Sequence, residues 1–295
     1  MLLAGAMLCV VSASADPLSL RSSPRPDPVA GYAHGLLWRI GSAAEKPNYL
    51  FGTIHSDDGR VLQLPAPVRQ AFADSGTFAM EMILDETANE QIARAMRLPA
   101  GKTLEQILGP ALFRRTVGVA ATVGIPAVQI EPLKPWAVMT LLSVPRPKSG
   151  MFLDVQLLRW AREQGKRVIG LETPREQIRV LDGLSESEQV ILLRDTVDHF
   201  GDIRRMLSDL MQAYLNRDLA ALEAIAGRYL VSVGDVGARL RRRMIEDRNR
   251  RMAERLFPVL RQGGLFVAVG ALHLPGRSGL LNRLARKGFT VEVVY

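Results

Sequence analysis

The sequence predicts an α/β fold: a mostly parallel central sheet with flanking helices and a helical insertion at about 185–260. Three observations carry that prediction. Short apolar strand patterns alternate with helical ones along most of the chain, the arrangement of a parallel sheet covered by helices. The run Leu265–Val269 (LFVAV) is continuously apolar, as a strand buried on both faces must be. Between 185 and 262 only helical patterns occur.

Taken in order, Met1 to Val11 is an apolar run too short to cross a bilayer as a helix. Ala13-Ser14-Ala15 and Asp16 follow it, a junction that suits signal peptidase. Residues 1–15 therefore read as a signal peptide, the Pro- and Ser-rich residues 16–30 as a disordered leader, and 31–295 as one domain. Cleavage after Ala15 removes Cys9, and no later segment is long and apolar enough to span a membrane. The expected product is periplasmic or secreted.

Leu36 to Ile40 and Tyr49 to Gly52 read as adjacent strands separated by turn residues. Pro67 to Ala73 is helical, and Thr77 to Met82 is a strand ending in a carboxylate. Helical patterns occupy about 87–97, 103–108 and 110–123. Ala127 to Ile130 reads as a strand and Pro135 to Val144 as a helix. Leu153 to Gln164 is an amphipathic helix, with apolar residues at three- and four-residue steps. Gly165 stops it, and Arg167 to Leu171 is expected to be a buried strand that meets Glu172. Ser185 and Glu188 form a capping box, and further helices run at about 203–215, 217–230 and 236–260. A helix at 278–287 and a strand at 289–294 close the chain.

Composition excludes several function classes. One cysteine rules out an intrachain disulfide framework and any Cys-based zinc or iron–sulfur centre. A metal must be held by Asp, Glu or the four histidines. The net charge of +8 comes from 38 basic residues, six of them lysine. The arginine cluster at 239–251 contains Glu246 and Asp247, has helical spacing and lacks aromatics, so it reads as a solvated helix face. Nucleic-acid binding is not expected.

Chemistry concentrates at strand ends. Tyr49-Leu-Phe-Gly52 runs into Thr53-Ile54-His55, and Leu265-Phe-Val-Ala-Val-Gly270 runs into Ala271-Leu272-His273. Each is a strand followed by Gly-x-x-His, with the glycine read as allowing a sharp turn and leaving room beside the imidazole. In open α/β sheets ligands bind beyond the carboxyl ends of the strands. His55 and His273 there, with Glu81 and Glu172 at other strand ends, form a ligand set suited to zinc, manganese, cobalt or iron. Singly, each histidine reads equally well as a core residue, and each glutamate as a buried partner of arginine. His34 also follows a Gly-x-x pattern but lacks the strand, and His199 reads as an exposed or structural helix residue.

With these residues in view, the chain resembles the TraB/GumN family, to which the Tiki metalloproteases belong. The matching pieces are Gly52-Thr53-Ile54-His55, Glu81, Lys134-Pro135-Trp136, and Phe152-Leu153-Asp154 ahead of a helix ending at Gly165-Lys166. Glu172-Thr173 with Glu176-Gln177, Arg248-Asn249 and the closing block at 269–294 complete the set, over about residues 35 to 294. Phe152 departs from the pattern, which usually has a glycine two residues before the aspartate, and Ser56-Asp57 replaces the usual apolar or aromatic residue after His55.

The resemblance implies an erythromycin-esterase/haem-uptake-like fold with both histidines and an acidic residue near a divalent metal. Animal members of the family are metal-dependent proteases that trim a secreted signalling protein, and another member is linked to shutdown of a peptide pheromone. The expectation is thus a metal-dependent hydrolase acting on peptides or exported proteins. His55, His273 and Glu81 would hold a divalent ion (Mn, Co or Zn) that activates water. Glu172 or Asp154 would act as general base or orient a histidine. Arg248 would neutralise those carboxylates or hold a substrate carboxylate, and Asn249 would donate a hydrogen bond to it. The alternative role for Arg248 and Asn249 is to anchor their helix on the sheet, and Trp136 reads as core or pocket wall. The competing function is a non-catalytic periplasmic protein that binds a peptide, a metal or haem.

Overall fold

Six strands form one sheet. A computed structural model describes residues 32–144, 151–230 and 233–295. The expected signal peptide and leader at 1–30 lie outside the described residues. The strands are β1 (Leu37–Gly41), β2 (Asn48–Thr53), β3 (Thr77–Met80), β4 (Arg167–Gly170), β5 (Leu265–Gly270) and β6 (Thr290–Val293), in the sheet order β4-β3-β5-β2-β1-β6. β4, β3, β5 and β2 run parallel, and only β1 runs against its neighbours β2 and β6. The expected mostly parallel α/β architecture is what the chain adopts.

Burial explains the strand order. β2 and β5 are buried at every position, and they lie inside the sheet with their apolar side chains covered on both faces. Phe266 of β5 meets Phe72, from the helix Ala66–Asp74, edge-on at 5.2 Å between ring centres, and Phe72 meets Phe78 of β3 at 5.6 Å. Such edge-to-face aromatic contacts fix the helix layer on the sheet beyond what area burial alone achieves. β4 was expected to be buried but is an edge strand, with Arg167 exposed and the other three residues half-buried. One flank of β4 has no strand neighbour, which leaves its side chains open.

A second apolar cluster sits among helices rather than on the sheet. It joins Met82, Leu104, Trp136, Leu181 and Leu193 to Leu240 and Met244. The helical layer is therefore built from residues before β4 as well as from the expected segment at 185–260. Trp136 is fully buried there, and its indole N–H donates to Asp182 Oδ1 (2.9 Å), which also pairs with Lys134 (2.6 Å). The helix Leu104–Thr122 breaks at Gly109 (φ 73°) before Pro110, matching the two helical segments read at 103–108 and 110–123.

Ala127–Ile130 is a single helical turn, not the predicted strand. Four residues are too few to show a period that separates the two. Pro126, with its fixed φ, stands at the N-cap of that turn. The long helix read at 236–260 is also interrupted. It comprises Gly234–Arg241, a π-helical turn Arg242–Asp247, and an α-helix Arg248–Leu260. Among the described residues no helix is long and apolar enough to cross a membrane.

Candidate active site

Parallel register brings the chemistry to one edge. Thr53 pairs with Gly270, and Met80 pairs with both Ala268 and Gly170. The carboxyl ends of β2, β5, β3 and β4 are thus level. Reading across the sheet, the residues just beyond them are His55, His273, Glu81 and Glu172. Gly52 makes this possible by a close approach. A Cβ there would sit 2.8 Å from Leu274 Cδ1 and 3.2 Å from the Ala271 backbone. The open side of Gly52 is filled by the turn that carries His273, so the glycine serves the neighbouring turn rather than its own imidazole.

Arg248 is the centre of the first cluster. Its side chain is 1% exposed, yet it donates to two carboxylates and one imidazole. Nε and Nη2 donate to Glu172 Oε2 at 2.8 and 2.6 Å, and Nη2 donates to Glu81 Oε2 at 2.6 Å. Nη1 lies 3.1 Å from His273 Nε2. Glu172 gains a second cation through Arg251 (2.7 Å). Glu81 Oε1 accepts from the Gly270 amide (2.7 Å) and stands 3.6 Å from His273 Nε2.

Burial disfavours charge on both glutamates, but Arg248 outweighs it, and both carboxyls are held below the ordinary carboxylate range. His273 responds in the opposite sense. Burial first, and then the charge of Arg248, push its pKa down to about 4, so at neutral pH it is an uncharged imidazole. Its tautomer is set by Asn249, whose Oδ1 accepts from Nδ1 at 2.7 Å, leaving the lone pair on Nε2. Asn249 Nδ2 donates to the carbonyls of Ser278 (3.0 Å) and His273 (3.3 Å) and so pins the loop that carries the ring. The π-helical turn lies immediately before Arg248 and Asn249. Its extra residue resets the helical phase that aims both side chains at the sheet edge, and π turns of this kind are frequent at functional sites.

The second cluster surrounds His55. Its Nδ1 lies 2.9 Å from Asp154 Oδ2, and Thr53 Oγ1 donates to Asp154 Oδ1 at 2.7 Å. Burial opposes the charge on Asp154, but His55 and the Thr53 hydroxyl overcome it, so Asp154 stays ionised. Phe152 stacks on the His55 ring at 4.8 Å with 27° between planes. Nδ1 faces the Asp154 carboxylate, although Oδ2 makes no aligned hydrogen bond, and Nε2 is buried and has no hydrogen-bond partner. A small cleft lined by Thr53, His55, Glu81, Asp154 and Gly270 joins the two clusters.

All seven candidate residues therefore lie on the same sheet edge, in two groups. His34 is exposed beside Asp218, and His199 bonds within its own helix end to Asp195. Thr53, Phe152 as a ring support, and Arg251 were not anticipated. The first two act across about a hundred residues of sequence, and no local pattern announces them.

Among the described residues no three His, Cys, Asp or Glu side chains already stand together as a metal-ligand group. The donor chemistry nevertheless fits a divalent cation. An orphaned buried imidazole nitrogen oriented by a carboxylate, with an ionised glutamate in the same cleft, is how proteins present histidine to a metal. His273 offers a second neutral lone pair, at present facing Arg248.

A family model described as TraB/PrgY/gumN matches residues 36–293. The chain belongs to that family. A "Metalloprotease TIKI homolog" of Amphimedon queenslandica is 26% identical, over 87% of this chain and 61% of its own length. "Metalloprotease TIKI2" of Danio rerio is 25% identical, over 83% of this chain and 58% of its own. The chain thus spans about three-fifths of the length of these TIKI relatives. An "Uncharacterized protein YbaP" of Escherichia coli (strain K12) is 27% identical, over 80% of this chain and 87% of its own. No solved structure matches the chain.

Proposed function

We propose that this protein is a metal-dependent hydrolase of peptides or exported proteins. The observation that carries the reading is the unpartnered, buried Nε2 of His55, backed by Asp154 and opening on a cleft shared with Glu81. The names of the TIKI relatives support a protease within the family.

His55, Glu81 and His273 would hold the ion. A divalent ion there supplies Lewis-acid chemistry, polarising a carbonyl and making water a nucleophile near neutral pH. The protein does the rest. Asp154, facing Nδ1 of His55, favours the proton there and strengthens Nε2 as a donor. Asn249 does the same for His273 as a neutral acceptor. Arg248 holds Glu81 and Glu172 ionised side by side, which two buried carboxylates would otherwise resist. Glu172, fully enclosed by Arg248, Arg251 and Gln177 (3.3 Å), acts as an electrostatic and positioning group. Of the two glutamates only Glu81 lines the cleft, which favours it as the ligand carboxylate. Export to the periplasm or beyond accords with the apolar segment at residues 1–15.

The test is digestion of a random peptide library by the purified protein supplied in turn with manganese, cobalt and zinc. Metal-dependent cleavage that His55→Ala abolishes supports the reading. A library left intact with every metal refutes it, and a binding function then stands in its place.

A further inference from the structure

A second and larger cleft opens on the other side of His55. Its volume is about 80 Å³, room for one side chain rather than a whole small-molecule ligand. Thr53 and His55 line both clefts, so the two adjoin at these side chains. Beyond His55 the walls change character. Leu207, Leu210 and Met211, from the helix Phe200–Leu215, face Leu272 and Phe152.

The hydroxyls in this wall are already engaged. Tyr214 donates to the Gly52 carbonyl (3.0 Å) and Thr53 to Asp154 (2.7 Å). Burial pushes the Tyr214 phenol well above its usual range, so it is not an acid at work here. Apart from Ser56 and Asp57, what the cleft offers a ligand is shape and apolar surface. A peptide whose backbone lay at the polar centre would project a side chain next to the reacting bond past His55 into this cleft.

We propose that this cleft is a substrate subsite that receives one bulky aliphatic or aromatic side chain beside the scissile bond, with Met211 and Leu207 setting its size. This rests on the reading of His55 as part of the reacting centre. The energy available is ordinary hydrophobic transfer, which discriminates strongly between a large apolar side chain and none. The helix that builds the wall comes from the segment at 185–260. That gives part of the helical insertion a task in substrate choice.

The experiment separates binding from cleavage. The full chain, carrying ¹³C-methyl methionine, is titrated with N-acetyl-leucinamide and with N-acetyl-glycinamide. The Met211 methyl resonance is assigned from its loss in Met211→Leu. The expected result is a saturable shift with the leucine amide, none with the glycine amide, and at least tenfold weaker leucine-amide binding in Met211→Trp. In the library digest, wild type should require a large apolar residue at one fixed position from the cut. Met211→Trp should move that preference to small residues, and Met211→Ala should move it to larger ones, which guards against a Trp variant that folds poorly. Equal responses to the two amides overturn the subsite, as does cleavage with no such positional preference. A saturable leucine-specific shift in a protein that cuts no peptide overturns the hydrolase reading and with it the placement beside a scissile bond, leaving a pocket that binds an apolar side chain.

Discussion

Replacing Arg248 with methionine keeps most of the stem volume and removes the guanidinium from between Glu81, Glu172 and His273. Three charge-assisted bonds at 2.6–2.8 Å and one contact at 3.1 Å are lost together. Each charge-assisted bond is worth about 1.5–3 kcal/mol net, but bonds sharing one group are not additive. Breaking a buried ion pair by removing one partner costs about 3–5 kcal/mol, because the remaining charge is stranded. Arg251 still serves Glu172 on its other oxygen, so the principal stranded group is Glu81. The expected loss for Arg248→Met is therefore about 3–5 kcal/mol, a large share of a typical domain's stability of about 5–15 kcal/mol. Arg248→Lys should recover less than half of it, since one ammonium cannot reproduce a planar fork. Urea unfolding followed by circular dichroism reads both variants. A loss below about 1 kcal/mol with an unchanged urea dependence would refute the claim that the guanidinium holds this cluster together.

Two further outcomes follow from the same geometry. Gly52→Ala drives a methyl into Leu274 and the Ala271 backbone, and overpacking of this kind costs about 1–3 kcal/mol; thermal unfolding should show it, and a wild-type melting temperature would contradict the close approach. Glu176 caps the helix Pro174–Asp182 through Thr173 and pairs with Arg255, and its pKa is lowered to about 2, chiefly by the Arg255 hydrogen bonds. A depressed carboxylate stabilises fully above its unfolded pKa near 4.5 and loses that contribution as pH falls toward 2. The stability gap between wild type and Glu176→Gln, at most about 1 kcal/mol for so exposed a pair, should be constant above pH 5 and vanish at the acid end. A gap that widens on acidification contradicts the assignment.

The sequence made the sheet edge legible because each strand with chemistry at its end is marked locally. An apolar run, a glycine and a histidine three residues further on can be read without neighbours, and so can Glu81 and Glu172 behind their own strands. Asp154, Arg248 and Asn249 were found only through the family pattern, since nothing in a helix sequence states which turn faces a distant strand. The π turn at Arg242–Asp247 is the clearest case. It shifts the phase of a helix whose residues read as an unbroken solvated face, and it brings one arginine of that cluster into complete burial. Phe152, a departure from the family pattern, has a local role visible only in three dimensions, as the ring against which His55 lies. Ala127–Ile130 reads ambiguously for a simpler reason, because four residues are too few to show a period.

The central claim is that His55 and His273 serve one divalent cation. Metal analysis by mass spectrometry of the purified chain, after incubation with manganese, cobalt or zinc and removal of free ion, tests it most directly beside His55→Ala and His273→Ala. The account predicts one ion per wild-type chain and less than a tenth of that in either variant, with circular dichroism unchanged. Folded variants that keep their full metal, or a wild-type chain that retains none, would contradict it.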